Sequence, residues 1–242
     1  MPESTQSRCI SKSCLARGFD KLGRHICVLG TIGAGKTTLA HAVQDVIVAE
    51  EGRCEGLWEP VGNNPILPLY YQNPEKYAFI MQVNMLNARL RQQKLAQAMA
   101  MSGISSVQDS SVFGDTCFVE MLRKDGTMSD VDVDVYVDLF LNMSENIRYP
   151  SLIAYLDCEP SVARARVCKR GRTCEAGIEE SYLMRLNAEI STLVADLSKF
   201  THVMRIDANK DMTADEIHDL AREVYARLLF YRKDPIISRV GL

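Results

Sequence analysis

Gly30-Thr31-Ile32-Gly33-Ala34-Gly35-Lys36-Thr37 lies between a short apolar run, His25 to Leu29, and a helix-like stretch that begins at Thr38. Two glycines five residues apart, followed by Lys-Thr, form the pattern of a phosphate-binding loop. Glycines let backbone N–H groups close round a phosphate, and the N-terminus of the next helix adds partial positive charge. The stretch therefore predicts that residues 30–38 bind a nucleoside triphosphate, with Lys36 on the β- and γ-phosphates and the Thr37 hydroxyl on Mg²⁺.

The charge, the apolar runs and the cysteines of the chain limit which kinds of partner and compartment we expect. The 242-residue chain has a net charge of −3, which argues against a general nucleic-acid binder. It contains no apolar run near membrane-spanning length, so we expect neither nucleic acid nor membrane as a partner. The eight cysteines include no Cys-x-x-Cys pair, which favours free buried thiols in a reducing compartment over disulfides or zinc.

The first 24 residues differ from the rest, with five basic residues, four serines, and only Glu3 and Asp20 as acids. A transit peptide and a disordered cytosolic tail both fit this composition. Glu3 near the start and the lack of a clean amphipathic face favour the tail. We therefore expect a flexible tail over residues 1–24, one domain over 25–232 and a C-terminal tail over 233–242. We expect a cytoplasmic protein, with a mitochondrial one as the alternative.

Strand-like and helix-like segments alternate along the chain. The hydrophobic pattern predicts strands over 25–29, 56–61, 105–109, 152–156 and 202–206, and helices over 36–49, 74–101, 130–142 and 179–197. Thr213-x-x-Glu216 is a capping box that opens a last helix. This alternation predicts one α/β domain, a five-stranded parallel sheet with helices on both faces.

Two of the predicted strands carry a carboxylate at or near their ends, Glu59 and Asp109. The carboxyl ends of parallel strands form the sheet edge at which ligands bind, and the phosphate loop follows the first strand at that edge. One acid could take a proton from an acceptor hydroxyl, and the other could help to hold Mg²⁺.

A dense basic segment follows the fourth predicted strand. Its five cations within nine residues are Arg164, Arg166, Lys169, Arg170 and Arg172. A solvated helix face is the plain alternative. Beside a phosphate loop we favour a mobile lid that places guanidinium groups over the transferred phosphoryl, because the planar guanidinium binds phosphate oxygens in pairs.

These segments, in this order, resemble the deoxyribonucleoside kinase family over roughly residues 25–230. The motifs that match, besides the loop, are Glu59-Pro60-Val61, Tyr71 with Pro74-Glu75-Lys76-Tyr77-Ala78-Phe79-x-x-Gln82, Asp109-x-Ser111, Asp115, Arg166-x-x-x-Arg170-Gly171-Arg172-x-x-Glu175 and Asp207-Ala208-Asn209-Lys210-Asp211. The resemblance implies a P-loop kinase fold with an Arg-rich lid, ATP and Mg²⁺ as cofactors, and a homodimer joined through helices. It also implies transfer of the ATP γ-phosphate to the 5′-hydroxyl of a deoxynucleoside in nucleotide salvage.

The resemblance also implies the catalytic and ATP-binding roles. Glu59 would be the general base toward the 5′-hydroxyl. Arg166, with the segment that begins at Asp207, would lie near the ATP adenine. Arg170 and Arg172 would lie on the phosphates, beside Lys36 and Asp109.

The substrate-binding roles come from the same resemblance. Tyr71 and Glu175 match positions that hold the sugar 3′-hydroxyl, and Gln82 matches the glutamine that reads the base. Arg89 and Asp115 match the pair that accompanies this glutamine in members of the family that use purines and deoxycytidine. Residues 64–90 look most like the deoxyadenosine and deoxyguanosine kinases of the family.

Two positions depart from the family pattern. Ser110 stands where the family usually has an arginine, so a lid arginine would have to supply that charge. Val119 stands where many members place an aromatic residue against the base, which predicts weaker stacking.

Three alternatives compete with this interpretation. A GTPase would want Asn-Lys-x-Asp, but in Asn209-Lys210-Asp211 the acid comes one place early. A nucleoside monophosphate kinase would need extra cations for the acceptor phosphate. A catalytically silent nucleotide-binding protein of the same fold has Ser110 as its only support.

Overall fold

The computed structural model describes residues 22–58, 64–172, 175 and 177–231, and the structural statements below concern these residues. They form five strands and eight helices. In chain order these are β1 (His25–Gly30), α1 (Lys36–Glu51), β2 (Cys54–Leu57), α2 (Leu67–Gln72), α3 (Pro74–Met101), β3 (Ser105–Asp109), α4 (Asp115–Lys124), α5 (Asp130–Ser144), β4 (Leu152–Asp157), α6 (Pro160–Arg170), α7 (Glu180–Leu197), β5 (Val203–Asp207) and α8 (Ala214–Tyr231).

The five strands form one sheet in the order β2-β3-β1-β4-β5, with every neighbouring pair parallel. This confirms the predicted five-stranded parallel sheet. The chain leaves β1 toward one edge and returns through β3 before it crosses to β4 on the other side. The crevice between the carboxyl ends of β1 and β3 is therefore the switch point at which such sheets bind ligands.

Alternating residues of the central strand pack on opposite faces of the sheet. Ile26 and Val28 belong to the buried cluster formed with α1 and α8. Cys27 and Leu29 belong to the cluster formed with α3, α4, α5 and α7. Both faces are apolar because helices cover both, as is usual for a parallel sheet.

The predicted bounds of the second strand are wrong. We expected a strand over 56–61, but β2 spans Cys54–Leu57, with Cys54 beside Ser105 of β3. Trp58 leaves the sheet and stacks on His41 of α1, with the ring centroids 3.8 Å apart. Glu59 lies outside the described residues, so its predicted place at the sheet edge stays a prediction.

Three helices, α2, α4 and α6, are absent from the helices that the sequence predicts. In α4 the central β-branched and aromatic residues have weak helix propensity, which hides the signal. Asp115 in its first turn and Arg123 and Lys124 in its last turn complement the helix dipole. The predicted capping box before α8 is confirmed, because the Thr213 N–H donates to a Glu216 carboxylate oxygen at 2.8 Å.

The predicted tails lie almost wholly outside the described residues and stay predictions. Within the described ranges, no helix is long and apolar enough to cross a membrane.

His25 makes the stability of the fold depend on pH. Its ring is buried in the sheet, with Nδ1 3.1 Å from the Ser106 hydroxyl, and burial lowers the His25 pKa from 6.5 to about 4. As pH falls, the His25 ring therefore binds a proton at a higher pH in the unfolded chain than in the folded protein. Stability from the neutral ring is fully present above pH 6.5 and is lost toward pH 4, by up to about 1.4 kcal/mol per pH unit.

We expect His25→Gln to flatten the pH dependence of the unfolding free energy in this window, measured by urea denaturation at several pH values. His218→Gln, at an exposed position of α8, is the matched control. An unchanged slope in His25→Gln would remove His25 as the cause.

Candidate active site

The phosphate loop follows β1 directly and ends on the first turn of α1. Gly33 and Gly35 have φ of 86° and 97°, left-handed values that favour glycine, and Gly35 is the N-cap of α1. A Cβ at Gly33 would lie 2.4 Å from the Ala163 carbonyl oxygen, so the loop fits against α6 only without a side chain. The Lys36 ammonium donates to the Thr31 carbonyl at 2.9 Å and thus folds back over the loop. The residues of this loop and helix start that we predict to bind the nucleotide form one continuous segment: Gly30, Thr31, Ile32, Gly33, Ala34, Gly35, Lys36, Thr37 and Thr38.

Thr37 and Asp109 meet across the crevice between β1 and β3. The Thr37 hydroxyl donates to Asp109 Oδ2 at 2.5 Å, and the register places Asp109 beside Val28. The other oxygen, Asp109 Oδ1, is buried and has no hydrogen-bond partner among the described residues. A hydroxyl and a carboxylate are ligands that suit Mg²⁺, which proteins hold through one or two carboxylates together with substrate phosphates. The predicted metal ligands are therefore in contact and fit the ion.

Arg89 and Asp115 form a buried ion pair between α3 and α4. Their side chains are 6% and 0% exposed. The Arg89 guanidinium also lies 5.7 Å from the centroid of the Phe118 ring. Gln82 is buried two helical turns before Arg89, and Val119 is buried one turn after Asp115. The structure thus brings the predicted base-reading residues to the facing sides of two helices.

The arginines of the basic segment do not form one cationic face, because Arg164, Arg166 and the pair Arg170 and Arg172 contact different partners. Arg164 contacts Cys168 on its own helix. Arg170 and Arg172 both pair with the buried carboxylate of Glu175, the latter at 3.2 Å. The predicted phosphate-binding arginines and the predicted 3′-hydroxyl ligand therefore occupy one cluster.

Arg166 ties α6 to the segment after β5. Its guanidinium donates to the carbonyls of Ala208 and Lys210 at 2.8 and 2.9 Å, and it pairs with Asp211 at 3.0 Å. Asp207 accepts from the backbone and side-chain N–H groups of Asn209, at 3.0 and 2.8 Å, and so fixes the same turn. These contacts join the residues predicted to lie near the adenine.

The comparison with protein families decides the identity of this site. A model described as deoxynucleoside kinase matches residues 26–229. The chain belongs to the deoxynucleoside kinase family. The family, the P-loop kinase fold with its parallel sheet and the kinase activity predicted from the sequence are thereby confirmed, and the Arg-rich lid stays a prediction.

Relatives of this deoxynucleoside kinase support the assignment over most of its length. The chain is 33% identical to a deoxyadenosine kinase of Dictyostelium discoideum over 208 residues, 86% of this chain and 82% of the relative. It is 34% identical to a deoxyguanosine kinase of Lactobacillus johnsonii over 155 residues, 62% of this chain and 65% of that relative. A structure of deoxyadenosine kinase from M. mycoides with bound dATP is similar, with 27% identity, a TM-score of 0.70, and coverage of 84% of this chain and 99% of that one.

Ser110 has a backbone conformation that the sequence does not predict. It is buried with a φ of 71°, the left-handed region that a residue with a side chain rarely adopts. Its N–H donates to the Val28 carbonyl at 3.1 Å, and its carbonyl accepts from the Cys27 thiol at 3.4 Å. The surrounding sheet therefore holds this position in a costly conformation directly beside Asp109.

Of the remaining predicted site residues, Tyr71 is described by the structure and Glu59 is not. Tyr71 lies on α2, packs between both core clusters and has its ring 5.4 Å from that of Tyr70. Glu59 lies outside the described residues, but its neighbour Trp58 is described. Sequence reasoning also missed Gln92, a glutamine of α3 that contacts the backbone of Trp58 and that no motif marks.

Proposed function

We propose that this deoxynucleoside kinase phosphorylates a purine deoxynucleoside, deoxyadenosine or deoxyguanosine, with deoxycytidine as a weaker substrate. The observation that carries the proposal is the buried Arg89–Asp115 pair, which offers fixed donor and acceptor groups two turns along the same helix from the buried Gln82. Adenine and cytosine carry an exocyclic amino donor and guanine carries the O6 and N7 acceptors, whereas thymine carries a methyl group, so a desolvated and oriented charged pair suits the first three bases better. The similarity to deoxyadenosine and deoxyguanosine kinases points the same way.

In the proposed mechanism, ATP lies on the loop of residues 30–38 and the deoxynucleoside lies against α3 and α4. Tyr71 and Glu175 bind the 3′-hydroxyl, and Glu59 takes the proton from the 5′-hydroxyl as its oxygen attacks the γ-phosphorus in line. Lys36 stabilises the charge that develops on the phosphoryl oxygens.

Thr37 and Asp109 would hold Mg²⁺, which when bound supplies positive charge to the phosphate oxygens. Arg170 and Arg172 contact Glu175, and this contact supports a coupling between sugar binding and phosphate binding. In the proposal these two arginines act on the phosphates and supply the charge that Ser110 lacks.

The test is turnover with ATP and Mg²⁺ on each of the four deoxynucleosides, with the monophosphates as further acceptors. We expect the highest kcat/KM on deoxyadenosine or deoxyguanosine, a lower value on deoxycytidine and little on thymidine. Turnover confined to monophosphates would instead support a nucleoside monophosphate kinase.

Ser110 is the observation that favours the second candidate, a catalytically silent nucleotide-binding protein. ATP binding without turnover on any acceptor would support it. In that case Ser110→Arg is the change expected to produce activity.

We propose that the enzyme is a homodimer joined through α3 and α5. α5 packs on α3 and exposes the apolar side chains of Val131, Val135 and Leu141, while α3 exposes Ile80. A second copy of the chain would cover such a surface. Light scattering should give twice the 27.1 kDa chain mass, and a mass of one chain would contradict the dimer.

A further inference from the structure

Side chains of α4 enclose the guanidinium of Arg89, which lies on α3. Asp115, in the first turn of α4, pairs with this guanidinium directly. Phe118 follows three residues later, and its ring lies against the guanidinium with 5.7 Å between Arg89 Cζ and the ring centroid. Residues three apart are neighbours on one side of a helix. The same side of α4 therefore supplies both a carboxylate and an aromatic ring to Arg89.

Tyr136 of α5 approaches the same guanidinium from a third helix. Its side chain is 1% exposed, so it lies fully inside the helical layer. Burial raises the pKa of the Tyr136 hydroxyl, and the Arg89 guanidinium lowers it, which places the two groups within electrostatic reach of each other. The charge of Arg89 is therefore held inside a closed pocket formed by α3, α4 and α5.

The ring and the carboxylate restrain the guanidinium in different ways. A carboxylate accepts hydrogen bonds from the edge of the planar group, whereas an aromatic ring attracts the cation through the negative face of its π-system. The ring contact uses none of the five N–H donors of the arginine. Phe118 can therefore restrict the tilt of the guanidinium plane without competing for its hydrogen bonds.

We propose that Phe118 is a positioning residue for base recognition, which holds the Arg89 guanidinium in the orientation in which the Arg89–Asp115 pair meets the nucleobase. The inference rests on the proposed function, in which this pair reads the base. Phe118 itself touches no substrate in the proposal. A planar set of donors distinguishes bases when its direction is fixed, because hydrogen bonds weaken steeply as they bend.

The matched control is Phe140 of α5. Phe118 and Phe140 are both partly buried, and both pack against the same buried cluster of α3, α4, α5 and α7. The Phe140 ring stacks on that of Tyr136, with 6.5 Å between the centroids. Phe140→Leu therefore removes one ring from the same cluster and leaves the contact of Phe118 with Arg89 in place.

We expect Phe118→Leu to raise the Kd for deoxyadenosine and deoxyguanosine, measured by calorimetry, by about 3- to 30-fold, the range for loss of a cation–π contact. KM for these nucleosides should rise in parallel, while kcat and KM for ATP change little. Phe118→Tyr keeps the ring face and should bind like the wild type. Phe140→Leu should also bind like the wild type, although urea denaturation should show a loss of stability in both leucine variants.

A third comparison tests whether the effect passes through Arg89. In the double variant Arg89→Met with Asp115→Ala, no guanidinium remains to be held. Adding Phe118→Leu to this variant should therefore leave its Kd for thymidine, the nucleoside toward which we expect it to shift, unchanged.

The outcomes separate this inference from the proposed function. Equal Kd values for Phe118→Leu and the wild type would overturn the positioning role and leave the proposed function standing. An equal rise in Phe140→Leu, or a further rise when Phe118→Leu is added to the double variant, would also overturn it, because the effect would then come from general packing. If the double variant keeps the wild-type ranking of the four deoxynucleosides, base reading by the pair is wrong, and this inference falls with it.

Discussion

Replacing Glu59 by glutamine is expected to lower kcat for phosphoryl transfer by about 10²- to 10⁴-fold, the range for removal of a general base. The amide cannot accept the 5′-hydroxyl proton, but it keeps the size of the carboxyl group and can still hydrogen-bond. Binding of the deoxynucleoside, measured by calorimetry, should therefore stay close to wild type.

Glu55→Gln is the matched control for this change. Glu55 lies on the same strand, β2, and pairs with Arg53 at 3.1 Å on the surface. Its replacement should leave kcat unchanged. Full activity in Glu59→Gln would remove Glu59 from the role of general base, whereas equal losses in the two variants would indicate a general disturbance of β2.

The second large effect is expected at the buried ion pair of α3 and α4. Asp115→Ala leaves the Arg89 guanidinium, 6% exposed, without its carboxylate. Breaking a buried pair in this way typically costs about 3–5 kcal/mol, because one charge remains uncompensated in a low-dielectric site. Urea denaturation should show this loss, and Glu120→Ala, which removes a partner of Arg123 from the exposed side of α4, should show a much smaller one.

The double change Arg89→Met with Asp115→Ala should recover most of that stability, because it removes both charges. It should also shift substrate preference toward thymidine, since the proposed site then holds no buried charged donor and acceptor. If the four deoxynucleosides keep their wild-type ranking of kcat/KM, the pair does not read the base.

The parts of the fold and site that the sequence predicts are those fixed by short-range pattern. The phosphate loop is recognisable because its glycines, Lys36 and Thr37 act at fixed covalent spacing. α3 is predicted with its observed bounds because its apolar residues recur at helical spacing over many turns. The contact of Thr37 with Asp109 follows from the parallel sheet, in which the ends of β1 and β3 meet.

Other features depend on tertiary contacts that no local pattern encodes. β2 ends early because Trp58 finds a stacking partner on α1. The left-handed conformation of Ser110 comes from its bonds to the neighbouring strand, and the basic segment divides because Glu175 and the segment after β5 attract different arginines. Gln92 contacts the backbone of a residue 34 positions away in sequence, so nothing in its own neighbourhood marks it.

The most direct measurement follows the γ-phosphate itself. ATP radiolabelled at the γ-phosphorus is incubated with deoxyadenosine or deoxyguanosine, Mg²⁺ and the full chain, and the radioactive products are separated by chromatography beside standards of the 5′- and 3′-monophosphates. We predict that the label appears on the 5′-oxygen of the deoxynucleoside, with one ADP formed for each deoxynucleoside monophosphate. Label found only in free phosphate, or no loss of label from ATP while the nucleotide binds, would contradict the proposed transfer.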